Sequence, residues 1–181
     1  MEAPVISAII TVSGALIGAF GGAYLANRFA DSRYVKQIQA EKDRDEKKIL
    51  IAKGEELYLA LSKWKRQNYF FFLARVSFLN NQMTQDEHES LINSRVDPSV
   101  HDTVDSLTGF YFPAFTSDLK VITDRQDSAN NTYKSIMDNL ARISNEELVA
   151  KNLSIDEDGV FVSQKISDLR ERLRAEIMGV K

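Results

Sequence analysis

The chain has 181 residues, 44% of them hydrophobic, and a formal net charge of -3 at pH 7. It contains no cysteine, which excludes disulfides and cysteine-ligated metal sites, and its few glycines and prolines favour long helices over a sheet. Charge is uneven: residues 28–79 carry 12 basic and 7 acidic side chains, whereas residues 80–159 carry 6 and 15. This acidic distal part disfavours nucleic acid as a partner.

The first predicted element is an uncharged apolar run from Ala3 to Asn27. As a helix it would extend roughly 37 Å, at about 1.5 Å per residue, which is enough to cross a bilayer. A secretory signal peptide is the alternative, but the run is long for one and no basic residue precedes it. Residues 1–30 are therefore predicted to be a transmembrane anchor. Basic residues follow the run, so the positive-inside rule places the N-terminus outside and the remainder in the cytoplasm.

Small side chains recur on one face of the predicted anchor, three or four residues apart. Such a face lets a second helix approach closely in lipid, where helices associate through packing rather than by expelling water. The sequence therefore predicts a homo-oligomer, formed through Ser7, Thr11, Gly14, Gly18, Gly22 and Ala26.

Two longer patterns follow the anchor. Residues 31–48 are polar on most faces and are predicted to be a helical stalk, and residues 49–181 are predicted to be a helical bundle. Within the bundle, apolar residues recur at alternating spacings of four and three along two segments, which are expected to pack antiparallel with Gln126 near Asn68. The predicted bundle core consists of Leu57, Leu61, Trp64, Phe71, Phe78, Phe115, Leu119, Ile122, Tyr133, Ile136 and Leu140.

Shorter elements are expected between and after these segments. They are helices over 85–93, with Thr84 as a possible cap, and over 99–112, and a last helix with an apolar stripe from Ile166 to Ile177. Residues 154–159 are expected to form an acidic surface turn, and 159–162 the only plausible strand. The predicted fold class is all-α, with a transmembrane helix, a stalk and an antiparallel bundle.

No motif predicts catalysis, a metal site or a cofactor. Residues 154–159 resemble the front of a calcium loop, but its twelfth position is Lys165 rather than a bidentate glutamate. His88 and His101 lack partners at metal-ligand spacing and are interpreted as solvated polar residues near helix ends. An enzyme that uses either histidine is the least favoured hypothesis.

The first helix ends in the stretch YLANRF at 24–29, and the body contains YFP at 111–113. In these stretches and in its layout, the chain resembles small uncharacterised membrane proteins of bacteria and their phages. The resemblance implies a bacterial inner membrane and a cytoplasmic body, and it implies no site residue.

These patterns favour a non-enzymatic protein that contacts membrane lipid, self-associates through its glycine-rich helix and presents its bundle to a protein partner. The alternative is a membrane-disrupting or pore-forming effector of a phage-defence or toxin system. In that hypothesis, Ser7, Thr11, Ser13 and the glycines would line a narrow path through the bilayer.

Overall fold

The computed structural model describes the backbone from Ala3 to Val180 and the side chains of residue 18 and residues 20–179. This part of the chain contains helices and no strand, so the predicted all-α class is confirmed. The helices are α1 (Ala3–Leu79), α2 (Gln85–Arg95), α3 (Ser99–Tyr111), α4 (Thr116–Asn139) and α5 (Asn145–Val180). A short 3-10 turn at Pro113–Phe115 joins α3 to α4.

The contacts divide the chain into two units, residues 1–48 and residues 49–181. The first unit is the N-terminal part of α1, and every side chain described in it is exposed. Its ion pairs join neighbours on the same helix, between Lys42 and Glu46 at 3.9 Å and between Asp45 and Lys48 at 3.0 Å. Such pairs contribute about 0.3–0.5 kcal/mol each to a solvated helix.

In the part of the chain whose side chains are described, no helix is both long and apolar enough to cross a membrane. Most of the predicted anchor at 1–30 lies outside that part, as do the predicted oligomerisation residues Ser7, Thr11 and Gly14. Gly18, Gly22 and Ala26 lie inside it, on the exposed helix.

The second unit is a bundle of four arms, of which the first is α1 from Ile49 onward. The last arm, α5, runs antiparallel to α1. Gly54 near one end of the pair lies against Ile177, whereas Asn80 at the other end accepts a hydrogen bond from Asn152 at 2.7 Å. Residue numbers therefore rise along α1 as they fall along α5.

The second arm consists of α2 and α3 together, interrupted at residues 96–98. Arg95 of α2 stacks over the Phe70 ring at 5.3 Å, and His101 of α3 meets the edge of Trp64 with ring centroids 5.3 Å apart. Both helices thus return along α1 in the same direction. Despite the interruption, they act as a single antiparallel arm.

The third arm, α4, consequently runs parallel to α1. Gln126 donates to Asn68, and further along both helices Arg75 donates to Asn130 at 2.5 Å. The predicted antiparallel packing of the two long apolar segments is therefore wrong. Their spacing shows that each packs on another helix, but their relative direction depends on the returning arm that lies between them.

The core lies between the four arms and includes most of the predicted residues. Leu57, Leu61, Trp64, Phe115, Leu119, Ile122 and Ile136 are buried, and Phe71, Phe78 and Tyr133 are partly buried against them. Leu140 is 45% exposed, so its predicted place in the core is wrong. The reason is that α4 ends at Asn139, so Leu140 continues the apolar spacing of the sequence but lies one residue beyond the helix.

The region 154–162 differs most from expectation, because it is neither a turn nor a strand but the middle of α5. Ile155, Val162 and Ile166 are fully buried at helical spacing. Packing on the bundle therefore outweighs the preference of residues 160–162, valine, phenylalanine and valine, for a strand. Asp158 is buried as well, and its carboxylate lies 2.5 Å from the Arg125 guanidinium. Burial raises the pKa of Asp158, and Arg125 opposes that effect.

Two glycines in helices differ in the space around them. A methyl group added at Gly159 would lie 2.8 Å from Cγ of Phe72, whereas one added at Gly109 meets nothing within 4 Å. We expect Gly109→Ala to raise the free energy of unfolding by about 0.5–1 kcal/mol, because glycine is the poorer helix former. Gly159→Ala should lower it by about 1 kcal/mol, because overpacking exceeds that gain.

Trp64 is the only tryptophan and is 4% exposed, so its fluorescence during urea unfolding measures both effects in the full chain in detergent. A stabilising Gly159→Ala would contradict the close packing of α1 on α5.

Candidate binding cleft

A cleft of about 310 Å³ opens where α1, α3 and α4 meet beside the interruption of the second arm. Three groups of residues line it: one from α1, one from the interruption and α3, and one from α4. They are Trp64, Gln67, Asn68 and Phe71; Val96, Asp97, Pro98 and His101; and Thr123, Gln126, Asp127 and Asn130.

The interruption that forms the rim is held by hydrogen bonds. The Asp97 carboxylate accepts from the Ser99 backbone N–H at 3.0 Å and from the Ser99 hydroxyl at 2.7 Å, which satisfies the start of α3. The Gln67 side chain spans the Asp97 backbone. Its amide oxygen accepts from the Asp97 N–H and its amide nitrogen donates to the Asp97 carbonyl, each at 3.2 Å. The bonds from Ser99 lower the pKa of Asp97, so this carboxylate is ionised at neutral pH.

The floor of the cleft is the amide pair of Asn68 and Gln126. Asn68 is 4% exposed, donates to the Trp64 carbonyl at 3.0 Å and accepts from Nε2 of Gln126. Their predicted proximity is therefore confirmed. A buried amide that loses its partner costs about 1–3 kcal/mol, so the pair holds α1 and α4 in one register.

Arg75 lies beside the cleft between two aromatic faces. Its guanidinium is 3.8 Å from the centre of the Phe71 ring and 4.6 Å from that of Tyr133. No carboxylate pairs with it in the described part of the chain, and its Nε has no hydrogen-bond partner there. Burial lowers the pKa of Arg75 to about 10, so it remains a cation stabilised by ring faces and by Asn130.

His88 completes this aromatic cluster from α2. Its ring stacks on Tyr133 with centroids 5.8 Å apart and lies 5.3 Å from that of Phe78, and it is half-buried. His101 is also half-buried, against Trp64. The interpretation of both histidines as solvated residues is therefore wrong, because helix ends that look polar in sequence are folded back onto α1.

The helix that carries His88 is itself weakly attached. It begins with the predicted Thr84 cap, which is confirmed as a capping box. The Thr84 N–H donates to the Glu87 carboxylate at 2.8 Å, and the backbone N–H of Glu87 donates to the Thr84 hydroxyl at 3.3 Å. No residue of α2 is buried. Its attachment to the bundle therefore relies on partly buried side chains such as His88.

The cleft presents both apolar walls and hydrogen-bonding groups. Among the described residues, no three histidine or carboxylate side chains are grouped so that they could hold a metal ion. Trp64 and Phe71 supply apolar walls, and Gln126, Asn130 and Asp127 supply hydrogen-bonding groups. Such a mixture matches a ligand that carries both polar and apolar groups.

No family model, curated protein or solved structure matches this chain.

Replacement of His88 by phenylalanine should make the bundle less sensitive to acid. Burial lowers the pKa of His88, and Arg75 lowers it further, whereas Glu89 raises it. Because the folded-state pKa lies below the unfolded value, stability is full above about pH 6.5 and is lost as the pH falls below it. His88→Phe keeps a ring between Phe78 and Tyr133 but cannot bind the proton.

Urea unfolding at pH 7 and pH 5, followed by Trp64 fluorescence, compares the two proteins. The wild type should lose more stability than His88→Phe over this interval, and equal losses would contradict the role given to His88. Effects of the carboxylates are common to both proteins and cancel in the comparison.

Proposed function

We propose that this protein is a non-enzymatic adaptor of the bacterial inner membrane. Residues 1–30 anchor it with the N-terminus outside, copies associate through the glycine-rich helix, and the cytoplasmic bundle binds a protein partner at the cleft. The observation that carries the proposal is the combination of a cleft that offers apolar and hydrogen-bonding groups with an N-terminal helix whose described apolar side chains, from Phe20 onward, are exposed.

Exposed apolar side chains support the anchor. Phe20, Tyr24, Leu25 and Phe29 are each more than half exposed on α1. Burying such surface is worth about 25 cal/mol per Å², so a contiguous apolar stretch of this kind favours lipid or another chain over water. The uncharged run from Ala3 to Asn27 points to lipid.

The glycines support self-association. A methyl group at Gly18 or Gly22 would meet no described side chain within 4 Å, so the described part of the fold does not require glycine there. Glycine costs a helix about 1 kcal/mol relative to alanine. In lipid, that cost is offset when a second helix packs closely on the glycine row.

The cleft supports a protein partner. An extended peptide presents backbone donors and acceptors together with side chains, and the amides of Gln126 and Asn130 beside Trp64 offer complementary groups. Asp127 has no ion-pair partner in the described part of the chain and adds a carboxylate for a donor of the partner.

Photo-crosslinking in native membranes tests the partner site. A photoreactive residue replaces Thr123, which lines the cleft, or Lys134, an exposed control on the same helix. We expect one discrete adduct of the full chain from position 123, at least tenfold more abundant than from position 134. Equal labelling at the two positions would rule out the cleft as the partner site.

Mass measurement in nanodiscs tests the anchor. Gly18→Ile/Gly22→Ile should convert an oligomer of the full chain to monomer, because isoleucine prevents close helix approach. Ala23→Ile, on the opposite side of the helix, should leave the mass unchanged. A monomeric wild type would contradict self-association through the glycines.

Expression in bacteria distinguishes the adaptor from the effector hypothesis. An adaptor leaves growth and membrane potential unchanged. Growth arrest with loss of membrane potential, abolished by Gly18→Ile/Gly22→Ile, would instead assign the glycine helix to a pore.

A further inference from the structure

A strip of exposed apolar side chains runs along the outside of the antiparallel pair α1 and α5. We call it the outer face, and it consists of Leu59, Tyr69 and Leu73 from α1 and Leu153, Val160 and Met178 from α5. These side chains are between 39% and 65% exposed. They border two grooves between the helices, one of about 300 Å³ beside Leu73 and Val160 and one of about 350 Å³ beside Leu59 and Met178.

The spacing of the outer face is that of a helix-packing surface. Leu59 and Leu73 on α1, like Leu153 and Val160 on α5, are separated by whole heptads, which keeps them on one side of each helix. Scattered exposed hydrophobic residues are ordinary, but a strip shared by two neighbouring helices marks an interaction surface.

Each helix of the outer face carries charges of both signs, Glu55 and Arg66 on α1 and Glu171 and Arg174 on α5. Arg66 lies on α1 between the apolar groups and forms no ion pair in the described part of the chain. Glu171 lies on α5 and has only a 3.9 Å contact with Arg174. Side chains lean toward the N-terminus of their helix, so on antiparallel helices Arg66 and Glu171 lean toward each other.

The levels of these two residues can be compared within one copy. Lys65 donates to Ser167, Arg170 donates to Tyr58, and Gly54 lies against Ile177. These contacts set Glu171 level with about residue 60 of α1, six residues before Arg66. At about 1.5 Å per residue, the two side chains are about 9 Å apart along the helix axis. Two long side chains that lean together can span such an offset between facing helices.

We propose that the outer face binds a second copy of this chain. A two-fold axis along the helices sets α1 of one copy against α5 of the other, so that Leu73 meets Val160 and Arg66 approaches Glu171 across the interface. The inference rests on the proposed function in one respect: the anchors bring copies together in one membrane. A lipid surface fits less well, because it favours clustered cations and this face also carries Asp156 and Glu171.

The absence of cysteine makes disulfide crosslinking a direct test. Full-length chains with two different affinity tags are co-expressed, one with Leu73→Cys and the other with Val160→Cys, and membranes are treated with a mild oxidant. We expect disulfides that join the two tags. The same is expected for Ala52→Cys with Met178→Cys, because Ala52 lies one heptad before Leu59 and the contact of Gly54 with Ile177 sets it level with Met178. Leu73→Cys with Val121→Cys, an exposed position on α4, is the matched control and should give at least tenfold less.

A charge exchange tests the arrangement of the interface. Arg66→Glu should slow formation of the Leu73–Val160 disulfide about twofold to fivefold, as loss of an exposed ion pair allows, and Glu171→Arg added to it should restore the rate. Equal slowing by Arg66→Glu and by Arg95→Glu, on α2, would overturn the pairing of Arg66 with Glu171.

The outcomes separate this inference from the proposed function. If the intact chain is oligomeric in nanodiscs but neither cysteine pair crosslinks above the control, the outer face is not the interface and the glycine row alone assembles the protein. If the pairs crosslink while Gly18→Ile/Gly22→Ile leaves the mass unchanged, the outer face stands and the glycine row fails.

Discussion

Asn68 and Gln126 bury their amides against each other where α1 and α4 meet. Hydrophobic packing tolerates a shift of one helix along another at moderate cost, whereas a shift here would leave buried donors and acceptors unpaired. The bundle therefore has one register that satisfies both side chains. The position of the cleft follows from it, because the pair is its floor.

The same register brings Arg75 to Asn130 and sets its guanidinium between Phe71 and Tyr133. An unpaired cation at this depth is tolerated because two ring faces and an amide oxygen replace water. Segments that have no buried residue, such as α2, open at lower free energy than the core. Since α2 leads into the rim of the cleft, access to the cleft is linked to the helix that has no buried residue.

The two units satisfy their apolar surface in different ways. The bundle buries its large side chains among four arms, whereas the described apolar side chains before residue 48 remain exposed in the single chain. For such a helix, stability comes from its surroundings rather than from its own core. In this respect the described part of the first helix resembles the outer face of the bundle, since both present apolar side chains that are exposed in the single chain.

The sequence by itself determined the helical class, the helices that bear alternating apolar spacing and most of the core, because these depend on local periodicity. Only the tertiary structure decided the rest. The parallel course of α1 and α4 depends on α2 and α3 returning as one arm, and the burial of His88 depends on that return. The helix through Gly159 exists because α1 offers a surface for it to pack against. Periodicity shows which face of a helix is buried, but the direction and identity of its neighbour depend on contacts between residues far apart in the chain.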